Sequence, residues 1–454
     1  MNAPTRPPLP GKTPTITLAE FARRRQRLMR GVGGDSIIVV PAAHEQVRNR
    51  DVDYPFRQNS DFLYLTGFPE PDAVAVFVPG REAGEYILFC RDRDPTQETW
   101  QGRRAGPDGA MEHYGAECAF PIEDIDEILP GLMENRRVLC APFGRDEALD
   151  QRLFGWVNRV RAKARNGVRA PHEYVAVEHY VHEQRLFKKA PELRMMRHAA
   201  AISCQAHIRA MQAARPGVTE FMVEAELLHE FHRHGTEPAY PSIVGGGENG
   251  CILHYIENRD VLNDGDLLLI DAGCEVQGYA SDITRTFPVS GRFSDTQREV
   301  YECVLAAQHA AIEQTRPGNH WNDPHDAAVR ELTRGLKDLG VLKGRLDKLL
   351  KDHAYRPFYM HRTGHWLGLD VHDVGDYRVG DAWRLLEPGM VTTVEPGLYF
   401  GPYSEAPKAL RGIGIRIEDD VAVTRDGHEV LTAACPKTPD DIEACMAGDL
   451  PGWT

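Results

Sequence analysis

The second half of the chain repeats itself, and the repeat carries acids in register. Arg215-Pro216-Gly217 opens a helical stretch ending at Gly235, and Arg316-Pro317-Gly318 precedes another ending near Gly340. In the later stretch Asp323 is the predicted N-cap and Pro324 the first helical residue, with Val329, Leu332, Leu336 and Leu339 on one face. LNDGDLLLIDAG (262–273) then matches LEPGMVTTVEPG (386–397): a turn, a β-rich strand, an acid, a small residue or proline, and glycine. The matching acids are Asp271 and Glu395. Each is followed by a segment that starts at glycine, GYASDITRTFPV from 278 and GIRIEDDVAV from 414, with a further acid four residues on, Asp282 and Glu418. Like units generally pack as like units, so two βαβ-like halves related by a pseudo-two-fold axis are expected. Four carboxylates would converge at that axis.

An acid ending an apolar strand, such as Asp271 after LLLI or Glu395 after VTTV, is costly to bury unless it is paired or coordinates a metal. One such acid reads as a cap or a salt bridge. Four in duplicated register would repel one another into protonation unless cations sat between them, and two divalent ions would supply that charge. A nitrogen donor is available in MHRTGHWLGLDVHD (360–373), where His361, His365 and His372 lie between the two acid motifs. Their spacing suits one face of a helix or alternation along a strand and loop. Carboxylates with one imidazole form a hard donor set, which suits Mn(II), Fe(II) or Co(II) better than the thiolate-rich sites of structural zinc. Two such ions would hold a bridging hydroxide against a polarised carbonyl.

Upstream, apolar strands alternate with helical stretches to about residue 165: SIIVVPAA (36–43), AVAVFVP (73–79), YILFC (86–90) and RVLCAP (137–142). This predicts an α/β domain. A helix-forming run over 178–214 leads into the duplicated half. The expected domains are a Pro-rich extension 1–14, an N-terminal domain 15–180, a catalytic domain 181–436 and a tail 437–454 without assigned role. FARRRQRLMR is basic enough to raise a transit-peptide alternative, but Thr17 and Glu20 form a T-x-x-E capping box, so the segment is expected to be an ordinary first helix.

Composition narrows the function classes. The 454 residues carry 67 Asp+Glu against 53 Lys+Arg, net -14, which argues against a nucleic-acid partner. No apolar run approaches the roughly 18 residues that span a bilayer. The nine cysteines are scattered with no C-x-x-C pair, and read as buried thiols in a reducing, cytoplasmic setting.

With these residues in view, the chain resembles the pita-bread metallopeptidases, the family of methionine aminopeptidase, prolidase and aminopeptidase P. HRTGHWLGLDVHD (361–373) is similar to the proline-peptidase signature, while DYPFRQNSDFLYLTGFPEPDAVAVF (53–77) and TWQGRRAG (99–106) resemble the N-terminal domain of the aminopeptidase P branch. The resemblance spans about residues 15–435. It implies an N-terminal α/β domain joined to a C-terminal pita-bread domain, and two divalent metals, Mn(II) foremost. The five family ligands map onto Asp271, Asp282, His365, Glu395 and Glu418. Asp282, His365, Glu395 and Glu418 would hold one ion, and Asp271, Asp282 and Glu418 the other. Glu395 would also shuttle a proton; His254, His361 and His372 would line the substrate pocket and stabilise the tetrahedral intermediate; Arg416 and Tyr399 would support it. Trp100 would reach a neighbouring subunit's site in a dimer or tetramer.

The activity so implied is release of the N-terminal residue from Xaa-Pro-peptides. Prolidase, which cleaves Xaa-Pro dipeptides, shares every metal ligand and is the first alternative. A non-catalytic pita-bread binding protein and metal-free creatinase-type chemistry are the others, and both are disfavoured by intact ligands. Without the resemblance, His254 reads equally as a packed strand histidine, Trp100 as a core or surface aromatic, and Arg416 as a partner for a local acid such as Asp419.

Overall fold

The computed structural model describes residues 11–449. They form two compact units, one of residues 16–185 and one of residues 186–449, with residues 11–15 grouped with the latter. Residues 1–10 of the expected extension and 450–454 of the expected tail lie outside the described residues.

The first unit is built on a six-stranded mixed sheet in the order Cys118–Pro121, Tyr86–Cys90, Val74–Phe77, Ser36–Pro41, Val138–Ala141, Glu173–Ala176. Its central strands are apolar at nearly every position because both faces are covered. Ile37, Val39, Val74, Val76, Ile87, Phe89 and Leu139 point to one face, against Leu129 and Met133 of helix Ile125–Met133 and Leu153, Trp156, Val157 and Val160 of helix Glu147–Arg161. The first helix runs Leu18–Val32, with Thr17 Oγ1 accepting from Glu20 N at 3.3 Å; this is only half of the expected capping box, because the Glu20 carboxylate binds Arg23 instead of reaching back to Thr17 N.

The duplication is visible in the second unit. Helices Ala190–Ala213 and Glu220–Arg233 flank the first Arg-Pro-Gly, and Asp295–Gln314 and Asp323–Asp338 flank the second. Strands Leu267–Asp271 and Thr284–Pro288 pair in one half, and Val391–Val394 and Asp419–Val423 in the other. The halves are not βαβ units, however. Every strand pair described in this unit is antiparallel. The helices come before the strands of each half rather than between them, so no crossover to a parallel neighbour is required.

Three details correct or add to the sequence reading. Asn322, not Asp323, precedes the helix Asp323–Asp338, and it makes no side-chain cap; the Asp323 carboxylate instead accepts from His320 N at 2.7 Å. Residues 439–447 of the expected tail form a helix, which Thr438 caps and whose Ile442 and Cys445 are buried. All nine cysteines are free; Cys118, Cys251 and Cys303 are only partly buried, contrary to the expectation for all nine. Among the described residues no helix is long and apolar enough to cross a membrane.

Candidate metal centre

Each acid of the repeat stands at the same end of its strand pair. Asp271 is the last residue of Leu267–Asp271, and Asp282 lies two residues before Thr284–Pro288. Glu395 follows Val391–Val394, and Glu418 precedes Asp419–Val423. The halves are stitched at this end: Glu418 N donates to Thr284 O at 3.0 Å, Thr284 Oγ1 to Glu418 Oε2 at 2.6 Å, and Asp282 N to the Asp420 carboxylate at 3.2 Å. The nearby buried Arg285 binds Asp419 Oδ1 at 2.7 Å and Glu418 O at 2.6 Å.

The histidine motif is neither helix nor strand. Residues 361–373 form a loop that lies along Val391–Val394, with Thr393 N donating to His365 O at 3.0 Å, His365 N to Thr393 Oγ1 at 3.1 Å and Glu395 N to Thr363 O at 2.8 Å. Gly364 permits this approach, since a Cβ there would stand 2.1 Å from Thr393 O. The docking sets His365 Nε2 at 3.4 Å from Asp282 Oδ2 and 3.8 Å from Glu395 Oε1. His365 Nδ1 meets Trp366 O at 2.9 Å, and with the proton on that nitrogen Nε2 is free to act as a ligand.

Ligand atoms of Asp282, His365 and Glu418 all lie within 4.8 Å of one another, close enough for one ion. Asp271 and Glu395 line the same cavity of about 830 Å³. Burial and the neighbouring carboxylates push Asp271 up to about 6 and Glu395 up to about 7, and raise Glu418 far above the carboxylate range. Burial alone would lower His365, but its hydrogen bond to Asp282 and the charge of Glu395 raise it to about 9. A buried, oxygen-rich cluster that draws in protons fits divalent cations by its donor chemistry.

The remaining expected residues surround this cluster. Arg416 is 3% exposed and binds Asp271 Oδ2 at 2.7 Å, rather than Asp419. It also donates to Tyr399 OH at 3.1 Å, and that hydroxyl lies 2.8 Å from His361 Nε2. His361 Nδ1 meets Arg362 O at 2.7 Å and sits 3.7 Å from Glu395 Oε2, so Asp271, Arg416, Tyr399 and His361 form a chain around the site. Desolvation, followed by the Arg416 charge, lowers His361 to about 3. His372 packs against His365 at a tilt of 46°, with ring centroids 4.1 Å apart, and is lowered by desolvation and by that neighbour. His254 lines the cavity from a loop and is exposed, so it is not a packed strand histidine. Trp100 lies on the first unit in helix Pro95–Gln101 and is 84% exposed.

Sequence reasoning missed Tyr240, whose hydroxyl lies 2.7 Å from Asp271 Oδ1 and 2.5 Å from Asp282 Oδ1. It also missed an aromatic and basic wall of Trp321, Arg362, Tyr377 and Trp383. Tyr240, Tyr377 and Trp383 lie outside the matched segments, and Trp321, three residues after Gly318, has no aromatic counterpart three residues after Gly217. Only the adjacency of Arg362 to His361 gave any signal.

Comparison with known proteins identifies the family of the chain. The profile of "Metallopeptidase family M24" covers residues 194–425, and that of "Aminopeptidase P, N-terminal domain" covers residues 21–140. The chain is 47% identical over 433 residues to Xaa-Pro aminopeptidase of Escherichia coli, spanning 95% of this chain and 98% of that one. It is 36% identical to Xaa-Pro aminopeptidase 3 of Rattus norvegicus, over 96% of this chain and 87% of that one. Among solved structures, Pseudomonas aeruginosa aminopeptidase PepP superposes with a TM-score of 0.95 at 56% identity, covering 96% of this chain and 99% of that one. Zinc-substituted Escherichia coli aminopeptidase P in complex with product gives a TM-score of 0.93 at 47% identity, covering 96% and 99%.

Proposed function

The chain belongs to metallopeptidase family M24, and from that premise we propose that its cavity releases the N-terminal residue from peptides whose second residue is proline. The convergence of Asp282, His365 and Glu418 ligand atoms, with Asp271 and Glu395 in the same cavity, is the observation that carries this reading. Asp271, Asp282, His365, Glu395 and Glu418 would hold two divalent ions, and the hard donor set favours Mn(II). When bound, such ions supply Lewis acidity toward a carbonyl and a nucleophile at neutral pH.

The chain's own residues bind, orient and move protons. The free α-amine of the peptide would bind near the ion held by Asp271, which fixes cleavage at the first bond. His254, His361 and His372 are assigned to the walls around the scissile carbonyl, where they stabilise the tetrahedral intermediate. Tyr399 and Arg416 hold His361 in place through the hydrogen bonds above. Glu395 takes up a proton at its carboxylate and passes it to the prolyl nitrogen as that nitrogen leaves. The nitrogen of an Xaa-Pro bond bears no hydrogen and its ring restricts the chain, so a pocket shaped for the ring selects such bonds.

Trp100, exposed on the first unit, is the side chain we assign to a neighbouring subunit's site in a homo-oligomer. Nine free thiols support a cytoplasmic setting. The test of function is to incubate the purified protein plus Mn(II) with Arg-Pro-Pro and with Gly-Pro. Release of Arg with little cleavage of Gly-Pro supports the proposal, and the opposite preference means prolidase. Full activity in Glu395→Ala would sink the proton-transfer role.

A further inference from the structure

The cavity differs in chemistry from one wall to another. Away from the carboxylates, a short ribbon pairs Arg378–Val379 with Ala382–Trp383 and sets Arg378 directly across from Trp383. The turn between them uses Gly380 at φ +59. Cross-strand partners on one face touch, and the Arg378 guanidinium carbon lies 4.4 Å from the centroid of the Trp383 ring. A second guanidinium, that of Arg362, lies 5.0 Å from the same ring. The negative face of the indole offsets part of the repulsion between the two cations, which leaves a doubly charged aromatic wall.

The other cavity arginine, Arg416, is already committed to Asp271, Tyr399 and Thr284. Arg362 is exposed, and among the described residues its side-chain hydrogen bond goes to Asn322 Oδ1 at 2.5 Å. A guanidinium has five N–H donors in a planar fork that matches a carboxylate, so most of the fork is left for a ligand. A short peptide is itself a dipole, with an ammonium at one end and a carboxylate at the other. We infer that Arg362, backed by the Arg378–Trp383 pair, binds a carboxylate on the product side of the substrate and sets a preference for peptides that offer one within reach. The carboxylate is either the C-terminus of a tripeptide or an acidic third side chain. This deepens the aminopeptidase reading above and rests on it.

The experiment compares KM and kcat of the Mn(II)-loaded protein on Arg-Pro-Pro and its C-terminal amide, and on Arg-Pro-Glu-amide and Arg-Pro-Gln-amide. KM is expected to be about 10-fold lower for the charged member of a pair, the scale of a charge-assisted hydrogen bond. A preference in the first pair assigns the terminal carboxylate, and one in the second the side chain. Arg362→Ala should bring the KM ratio to about 1 with little change in kcat, while Arg362→Lys keeps part of it. Should the alanine variant lose all activity, Arg362→Gln, similar in length and uncharged, is read by the same ratio. An unchanged ratio in these variants overturns the inference. A wild type that cleaves all four peptides at equal KM overturns the inference alone; one that cleaves none contradicts the aminopeptidase reading, and the inference with it.

Discussion

The two halves of the catalytic unit share a scaffold but not a chemistry. Each brings two helices, an antiparallel strand pair and two acids at the same end of that pair. The first half contributes aspartates, with Tyr240 beside them. The second contributes glutamates, one methylene longer, and the loop with His361, His365 and His372. A symmetric fold thus builds an asymmetric centre. The imidazole and Glu395, which we assign to proton transfer, both come from the second half, while Asp271, near whose ion we place the substrate amine, belongs to the first. Duplication supplies the convergence of charge, and departures from duplication supply the division of labour.

If the halves contribute equally to the metal centre, Asp282→Ala and Glu418→Ala should each lower kcat/KM by about 10³ or more. The double variant should be little worse than either, because residues that act as a unit are not additive. The thermal shift on adding Mn(II) should disappear in all three. A single variant that kept both activity and shift would show that one half alone sustains the centre.

The stitch between the halves is a separate structural quantity. Arg285 and Asp419 are fully buried and 2.7 Å apart, and Lys437 and Gln308 also bind the Asp419 carboxylate. Asp419→Ala leaves Arg285 as an unpaired buried charge and should cost about 3 to 5 kcal/mol in urea unfolding. Burial alone would raise Asp419, but Arg285 and Lys437 outweigh it and hold the carboxyl well below the usual range. A group whose pKa falls on folding stabilises fully above its unfolded value, about 3.9, and loses that contribution as pH drops toward the folded value. The stability gap between wild type and variant should therefore be constant above about pH 5 and narrow below about pH 4. A gap that widened in acid would contradict the assignment.

Tyr240 tests whether the first half needs support of its own. Tyr240→Phe removes the hydroxyl from both Asp271 and Asp282 but keeps the ring. An outer partner of metal ligands is typically worth 10- to 100-fold in metal affinity or activity. The expected result is a loss of that size, with Mn(II) affinity falling more than stability. An equal loss in apo-protein stability would make Tyr240 merely a packing residue.

What could be read from the sequence follows the same division. The four acids were legible because duplication placed them at matched offsets, and the three histidines of 361–372 because they lie between them, His365 being singled out by the family resemblance alone. The alternating core of the first unit was legible from its apolar strands. The βαβ expectation failed because a strand run does not reveal its partner's direction, and helices that precede the strands leave the pairs antiparallel. Asn322 could not be identified as the residue before its helix because Asp323 offers the same chemistry one position later. Tyr240, Tyr377 and Trp383 were invisible because they meet the site only through space, from segments without a repeat partner, and Trp321 because its place in the other half holds no aromatic.

The smallest difference between the halves is at the start of their long helices, and it can be engineered. In the second half Ser294 Oγ accepts from Gln297 N at 3.3 Å while Gln297 Oε1 accepts from Ser294 N at 2.9 Å, a complete capping box. In the first half Lys189 occupies the equivalent place with extended backbone, φ -90 and ψ 167, and its N–H donates to Glu192 Oε2 at 2.9 Å. Lysine has no side-chain acceptor, so the other half of the box is missing. Ser294→Ala should therefore cost about 1 kcal/mol. Lys189→Ser should stabilise by about 0.5 to 1 kcal/mol, since the backbone already has the N-cap conformation and the exposed lysine has no salt bridge among the described residues. Differential scanning calorimetry of the two variants measures both signs. If Lys189→Ser destabilised the protein, the lysine stem would be contributing packing that the box cannot replace, and the two helix starts would be alike in geometry only.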